Sequence, residues 1–274
     1  MSDNGVTESI AIDGDGPPLL LVHGGPGLRD YLSILLPETA GWRAVRYQQR
    51  GHAPSSTSGP FTADQHVADL LTVLDALPAE RAVLLGHSWG GHLVLQAALA
   101  APQRVAALVL VDPLGSTGDG GTSVLGAELV ARLLPQARAR FTELAGRAPE
   151  PGTEAEYVTE LIALQWPGYF ADPASAPPLP ADFRVEPECN EQTMKSVLPS
   201  IGDGSFAASL RQVHVPVQIV LGDRSPLPAD AGRATAAALP RSELTVVPGA
   251  GHLPWVEAPG CVSAALAKVS GAVA

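Results

Sequence analysis

The sequence predicts an α/β fold with a mostly parallel central sheet flanked by helices. Short runs rich in leucine, valine and isoleucine recur between turn residues, and several lack polar alternation, which is typical of strands buried on both faces. Stretches with a helical spacing of apolar residues lie between these runs. The expected strands are residues 6–12, 19–22, 43–47, 82–85, 105–111, 215–221 and 243–247.

Three helices are expected in this core. Residues 63–77 place Val67, Leu70, Leu71 and Leu74 on one helical face. Residues 90–101 form an apolar run before Pro102, and residues 229–239 form the third helix. Because strand and helix alternate, the sheet is expected to be mostly parallel and covered on both sides.

The alternation stops in the middle of the chain. A glycine-rich stretch, helical segments at 124–144 and 153–165 and a proline-rich stretch intervene before the strand signal resumes. We therefore expect residues 1–114 and 210–274 to form the core, with 115–209 as an inserted, mainly helical lid. Such a lid would cover the carboxyl ends of the strands, where open α/β sheets bind ligands.

The composition narrows the classes of partner. The 274 residues carry a formal net charge of −11, which argues against nucleic acid or anionic lipid as a partner. No run reaches the roughly 18 apolar residues of a membrane helix, and the first residues do not resemble a secretion signal, so a cytoplasmic location is expected. Cys189 and Cys261 lack metal-ligand spacing and suit free thiols in a reducing compartment.

A GHSWGG motif at residues 86–91 indicates a nucleophilic serine. It follows an apolar strand and precedes a helical run, which is the strand–turn–helix context of the G-x-S-x-G elbow. Small residues must flank a serine on so sharp a turn, because neighbouring backbone passes closely. Ser88 is the predicted nucleophile, at the start of a helix whose free N–H groups favour negative charge.

A second motif, HGGPG at residues 23–27, follows the strand at 19–22. Its glycines allow a backbone N–H to point into the site. We predict that the amides of Gly25 and Trp89 hold the oxyanion of a tetrahedral intermediate, an interaction that typically contributes about 3 to 4 kcal/mol to the transition state.

A serine hydroxyl needs a base close by. The segment PGAGH at residues 248–252 follows the last strand and precedes the terminal helix, so His252 stands after the nucleophile in chain order, on a loop at a strand's carboxyl end. His252 is the predicted general base. The other histidines lie within the two motifs above or in less suitable contexts.

Together these three motifs resemble the α/β-hydrolase family. HGGPG, the YQQRG segment at 47–51 and GHSWGG are similar to its prolyl-aminopeptidase (proline iminopeptidase) branch. The resemblance covers the chain from about Leu19 to its end, apart from the lid. It implies the α/β-hydrolase fold and a catalytic triad whose acid stands three residues after a glycine ending the penultimate strand.

In this chain that glycine is Gly222, and the acid position holds Ser225. Either the base works without an acid or the acid has moved, in which case two carboxylates are candidates. Asp112 ends the strand after the nucleophile helix, and some relatives in the family supply their acid from that strand. Asp223 is shifted by two residues, and an even shift along a strand keeps a side chain on the same face.

The resemblance also bears on the lid. The aminopeptidase branch binds the substrate's α-amino group through lid glutamates beside a Trp-x-x-Trp-Glu segment, whereas this lid has WPGYF at 166–170. Trp166 and Tyr169, with Phe170, are candidates for an apolar acyl pocket. The alternative is that they form the core of the lid. Acidic contacts would come from Glu186, Glu188 or Glu191.

These residues predict a serine hydrolase that cleaves an ester, amide or small-peptide bond through an acyl-enzyme on Ser88. The expected partner is a small-molecule or short-peptide substrate, and no metal or organic cofactor is expected. Two alternatives stay open. One is a cofactor-independent lyase or oxygenase using a His252–Asp112 dyad, and the other is a non-catalytic ligand-binding protein on the same fold.

Overall fold

The computed structural model describes residues 5–273, which form a seven-stranded sheet in the order β1-β3-β2-β4-β5-β6-β7. Strand β1 is antiparallel to β3, and all other neighbours are parallel. The strands are β1 Ala11–Asp13, β2 Pro18–Val22, β3 Arg43–Arg46, β4 Ala82–His87, β5 Val105–Val111, β6 Val217–Gly222 and β7 Ser242–Val247.

Helices cover both faces of this sheet. The helices within 5–273 are α1 Ala63–Ala76, α2 Trp89–Ala100, α3 Thr122–Ala131, α4 Pro135–Ala145, α5 Glu154–Gln165, α6 Pro187–Gly202, α7 Ser205–Ser209, α8 Ala229–Ala238, α9 Pro254–Glu257 and α10 Cys261–Val269. Short 3₁₀ turns occupy Thr7–Ser9, Leu32–Thr39, Pro102–Arg104, Trp166–Tyr169, Pro173–Ser175, Leu210–Gln212 and Ser270–Val273. None of the helices within 5–273 is long and apolar enough to cross a bilayer.

The central strands explain the apolar runs in the sequence. Every residue of β4, β5 and β6 is buried, because one cluster of apolar side chains packs on each side of the sheet. Helices α1 and α2 cover one side, and α10 with the turn at Leu32–Thr39 covers the other. This packing places the carboxyl ends of the parallel strands along one edge, where the loops that follow them meet.

The expected strand at 6–12 was largely wrong. Thr7–Ser9 form a 3₁₀ turn, and pairing begins only at Ala11. The hydroxyl of Ser9 donates to the carbonyl oxygen of Val6 at 2.6 Å, a local bond of the kind that competes with strand pairing.

The single helical segment expected at 124–144 is two helices, α3 and α4. Leu134 has an extended ψ of 144°, and Pro135 is the first residue of α4. Proline disfavours a helical conformation in the residue before it and cannot donate to the preceding turn. The helical conformation is therefore interrupted between Ala131 and Pro135, as the proline in the sequence could have indicated.

Helix α6 was not predicted from the sequence, although it is the longest of the helices between β5 and β6. Its buried side chains recur every four residues, but the stripe mixes cysteine and threonine with valine and isoleucine, and Pro199 lies inside it. Hydrogen bonds tie α6 to α1: Ser196 Oγ accepts from Ala63 N at 3.0 Å, and the Thr193 hydroxyl lies 3.1 Å from His66 Nε2. Helices α3 to α7 all lie between β5 and β6.

Candidate active site

Ser88 stands in a strained turn between β4 and α2. Its φ of 55° and ψ of −121° are unusual for a residue with a side chain. The flanking glycines are sterically required, because a Cβ on Gly86 would lie 2.2 Å from the Gly90 carbonyl oxygen and one on Gly90 would lie 2.1 Å from that of Val22. The sequence therefore holds the serine at the carboxyl end of β4 in the conformation of a nucleophile elbow.

Two residues that share a cavity with this serine are candidates to supply backbone amides. Trp89 is the first residue of α2, so its N–H has no partner within the helix. Gly25 has a φ of 59° and accepts a hydrogen bond from Leu28 N at 2.9 Å, which fixes the turn of the loop after β2. Ser88, Trp89 and Gly25 line the same cavity. This arrangement suits an oxyanion hole.

His252 lies on the loop after β7, and only 3% of its surface is exposed. Its backbone N–H donates to Tyr169 O at 2.7 Å. Glu257 holds the same loop against the lid segment by accepting from Gly251 N at 2.6 Å and Ala171 N at 2.8 Å. Burial lowers the pKa of His252 to about 3, so at neutral pH its ring is uncharged and able to accept a proton.

Asp112 is the carboxylate that the structure brings to His252. It follows β5 with a φ of 43°, and its Oδ2 lies 3.6 Å from His252 Nδ1. Burial raises the pKa of Asp112 well above its usual value, while hydrogen bonds from the Ser225 hydroxyl and from Gly222 N favour the ionised form. The Gly222 N–H lies 3.4 Å from Oδ2.

Ser225 occupies the place where the family resemblance puts the acid. Its Oγ lies 3.3 Å from His252 Nδ1 and accepts from Leu227 N at 3.1 Å. The hydroxyl also bonds to Asp112, so it touches both the base and the carboxylate. The sequence pattern marks this position only by the missing acid, and it does not indicate that the serine itself contacts the base.

Asp223, the alternative acid, is engaged elsewhere. It is exposed, and its Oδ1 accepts from Gly249 N at 2.6 Å. That bond joins the turn after β6 to the turn after β7. Asp223 therefore supports the loop that precedes His252, whereas Asp112 approaches the imidazole itself.

A buried chain of hydrogen bonds joins the oxyanion loop to the base loop. Gly24 N donates to Tyr31 Oη at 2.9 Å, and Tyr31 Oη lies 2.5 Å from His87 Nδ1. His87 Nε2 lies 2.9 Å from the carbonyl oxygen of His252, so this nitrogen carries the proton and Nδ1 accepts from the tyrosine. No sequence pattern indicated this chain of hydrogen bonds, because Tyr31 lies outside the motifs.

The cavity above Ser88 has a volume of about 390 Å³, in the range of small-molecule sites. Trp166 and Tyr169 are among its lining residues and also pack in the apolar core, where Phe170 is buried. The glutamates at 186, 188 and 191 are not among its lining residues. Within 5–273, no cluster of three or more His, Cys, Asp or Glu side chains is arranged to bind a metal ion.

Comparison with known proteins places this geometry in a family. The alpha/beta hydrolase fold family matches residues 17–259. Epoxide hydrolase 2 of Siraitia grosvenorii is 38% identical over 117 residues, which cover 40% of this chain and 36% of that protein. The 2-hydroxymuconate semialdehyde hydrolase of Pseudomonas sp. (strain CF600) is 34% identical over 117 residues, covering 40% of this chain and 41% of that protein. Each match therefore spans well under half of the relative.

A solved structure extends the likeness over the whole fold. The meta-cleavage product hydrolase of Pseudomonas fluorescens IP01 gives a TM-score of 0.64 at 17% identity, covering 97% of this chain and 96% of that one. At this identity the likeness concerns the fold alone. The relatives described above carry hydrolase names, and the resemblance to the aminopeptidase branch rests on the sequence motifs only. The match over residues 17–259 shows that this chain belongs to the alpha/beta hydrolase fold family.

Proposed function

We propose that this protein is a serine hydrolase that cleaves an acyl bond through a covalent intermediate on Ser88. One observation carries the proposal: Ser88, in its strained elbow, opens onto the same cavity as His252, Gly25 and Trp89. A nucleophile, a base and two amides of an oxyanion hole are the groups that acyl transfer requires.

The orientation of His252 supports this assignment. Its Nδ1 faces Ser225 and Asp112, so Nε2 is the nitrogen left to accept the Ser88 proton. The Ser88 oxygen then attacks the carbonyl carbon, and the oxyanion is held by the amides of Gly25 and Trp89. His252 returns the proton to the leaving group, and a water activated by the same ring hydrolyses the acyl-enzyme.

Asp112 and Ser225 act behind the base. The buried carboxylate stabilises the imidazolium that forms when His252 takes the proton, because opposite charges interact strongly away from water. The Ser225 hydroxyl lies against both groups and fixes the ring. This arrangement supplies the charge from β5 instead of from the loop after β6.

A serine nucleophile is compatible with only some of the reactions for which the relatives are named. Attack by Ser88 on an epoxide carbon would open the ring and leave an alkyl ether on the serine, which a water activated by His252 would not cleave. Attack on a carbonyl carbon leaves an ester, which that water hydrolyses. We therefore assign carbonyl substrates to this chain and not epoxides.

Labelling with a fluorophosphonate probe, followed by intact mass, tests the proposal. We expect one covalent adduct on the wild type and none on Ser88→Ala, while Ser123→Ala, which alters an exposed serine of α3, labels as the wild type does. Folded wild type that takes up no probe would contradict the proposal. It would favour a lyase, oxygenase or ligand-binding role.

A further inference from the structure

The cavity above Ser88 is walled mainly by apolar side chains. Leu28 belongs to the core. The lid helices α3, α5 and α6 contribute Leu125, Ile162, Met194 and Leu198. Within residues 5–273, no lysine, arginine, aspartate or glutamate side chain lines this cavity. A charged group of a substrate would therefore leave water without meeting an opposite charge, which is strongly unfavourable.

The polar groups in the wall are neutral and largely engaged. Asn190 Nδ2 donates to Pro26 O at 2.9 Å, and the Thr122 hydroxyl donates to Asp119 O at 3.0 Å. Burial lowers the pKa of both His87 and His252, so neither ring supplies a positive charge at neutral pH. These groups can orient an uncharged polar atom, but they cannot neutralise an ion.

The charges behind the wall do not favour an ionic substrate. Asp112 lies behind His252, Glu257 is held by two backbone amides of the same region, and the Arg132 guanidinium donates to Arg224 O at 2.8 Å, beside Ser225, so groups of both signs lie near the base. Arg132, which follows α3, also donates to Gly168 O and is paired with Glu128 at 3.1 Å. An ionic group of the substrate would therefore meet no opposite charge on a side chain that lines the cavity.

We propose that the substrate is a neutral acyl compound, an ester or lactone whose acyl chain and leaving group are both uncharged and largely apolar where the cavity encloses them. This inference rests on the proposed function and goes further by naming the substrate class. It separates this chain from enzymes that bind a free α-amino group or an acidic acyl chain.

A matched series of p-nitrophenyl esters tests this class. The acyl groups derive from monomethyl adipate, from adipate with its second carboxyl group free (the hydrogen adipate ester) and from 6-aminohexanoate. They are similar in size, and the far end of the acyl chain is neutral, negatively charged or positively charged, respectively. A second pair, phenyl hexanoate and 4-carboxyphenyl hexanoate, moves the charge to the leaving group. We expect kcat/KM to fall at least 100-fold for every charged member. A charged member whose kcat/KM stays within threefold of its neutral partner overturns the proposal.

A charge placed in the wall gives a gain-of-function test. Met194→Lys introduces an ammonium group into the cavity, and Met194→Gln is a neutral control of similar length. We expect the lysine variant to hydrolyse the hydrogen adipate ester at least tenfold faster than the glutamine variant, with no such advantage on the methyl adipate ester. Equal rates of the two variants on the acidic ester, with both folded, would count against the proposal.

The two proposals fail in different ways. If fluorophosphonate does not label Ser88, the hydrolase mechanism is wrong, whatever the ester series shows. If Ser88 is labelled and the charged esters are preferred, the mechanism stands and only the neutral substrate class is overturned.

Discussion

The Oγ atom of Ser225 lies 3.3 Å from Nδ1 of His252. Asp112 Oδ2 lies 3.6 Å from the same nitrogen, so the base is approached by a hydroxyl and a carboxylate together. The two groups have different origins, because Asp112 follows β5 and Ser225 follows β6. In a triad, one acid both supplies a negative charge and positions the base. We infer that these two roles are divided here, with Asp112 supplying the charge and Ser225 positioning the imidazole.

The first prediction concerns the source of the charge. Asp112→Asn keeps the shape of the side chain but removes the charge that stabilises the imidazolium, so we expect kcat to fall on the order of 10²- to 10⁴-fold. Asp223→Asn is the matched control, and its activity should stay within about twofold of wild type, because Asp223 bonds to Gly249 and not to His252. Ester hydrolysis under saturating substrate measures both. Full activity in Asp112→Asn would refute the assignment.

The second prediction exploits the geometry at Ser225. In an Asp112→Asn background, Ser225→Asp places a carboxylate at the position that already contacts His252 Nδ1. We expect this double variant to regain at least tenfold of the lost kcat, since the imidazolium again faces a negative charge. Asp112→Asn with Ser225→Asn has nearly the same shape without the charge. If the two double variants turn over at the same low rate, the charge on this loop has no effect on the base.

The fold and the centre of the site followed from local signals. Buried strands without polar alternation predicted the parallel sheet, and the two glycines around Ser88 predicted its elbow because the surrounding backbone leaves no room for a Cβ. Gly25, Trp89, Ser88 and His252 line one cavity, as their motifs implied. Each of these motifs consists of residues close together in the chain.

The features that sequence reasoning left open depend on long-range packing. Asp112 and Asp223 both follow buried strands, and only the tertiary structure separates the one beside His252 from the one that bonds to Gly249. The bridging position of Ser225 has the same origin. Much of the neutral wall of the cavity comes from helices between β5 and β6, including the unpredicted α6, and no local sequence pattern determines how these helices approach Ser88.

The third prediction concerns the buried chain that contains Tyr31. Tyr31→Phe removes the hydroxyl that joins Gly24 N to His87 Nδ1, and both groups are then left buried without this partner. We expect a loss of about 1–3 kcal/mol in the free energy of unfolding. We also expect kcat/KM to fall at least tenfold, because the oxyanion loop and the base loop are no longer tied together.

Urea denaturation and ester kinetics measure these two effects. Tyr157→Phe is the control, since its hydroxyl bonds to Leu144 O and Arg147 O within the lid segment. That variant should retain wild-type kcat/KM. Unchanged stability and activity in Tyr31→Phe would mean that the chain of hydrogen bonds has no role in holding the site.

The fourth prediction concerns the dependence of stability on pH. Burial lowers the pKa of His66, His92 and His252 to about 3, and the pKa values of His23 and His87 are also lowered by burial. The unfolded chain, whose histidines titrate near 6.5, therefore binds more protons than the folded protein between pH 6.5 and about 3. The stability contributed by these neutral rings is present above pH 6.5 and is lost as the pH falls towards 3.

His92 allows this linkage to be isolated. Its ring packs between Trp89 and Phe206, and its Nδ1 makes no hydrogen bond within the described residues. His92→Phe fills the space with a ring that cannot titrate. Between pH 7.5 and 5.5 the wild type should lose about 1.4 kcal/mol more unfolding free energy than this variant, since one fewer proton binds on unfolding.

Urea denaturation of both proteins at the two pH values gives the comparison. Phe206→Leu is the control, because it weakens the packing around the same ring but keeps the histidine. That variant should be less stable at both pH values and show the pH difference of the wild type. If His92→Phe loses as much stability as the wild type on acidification, protonation of His92 on unfolding does not contribute, and the acid sensitivity must arise from other groups.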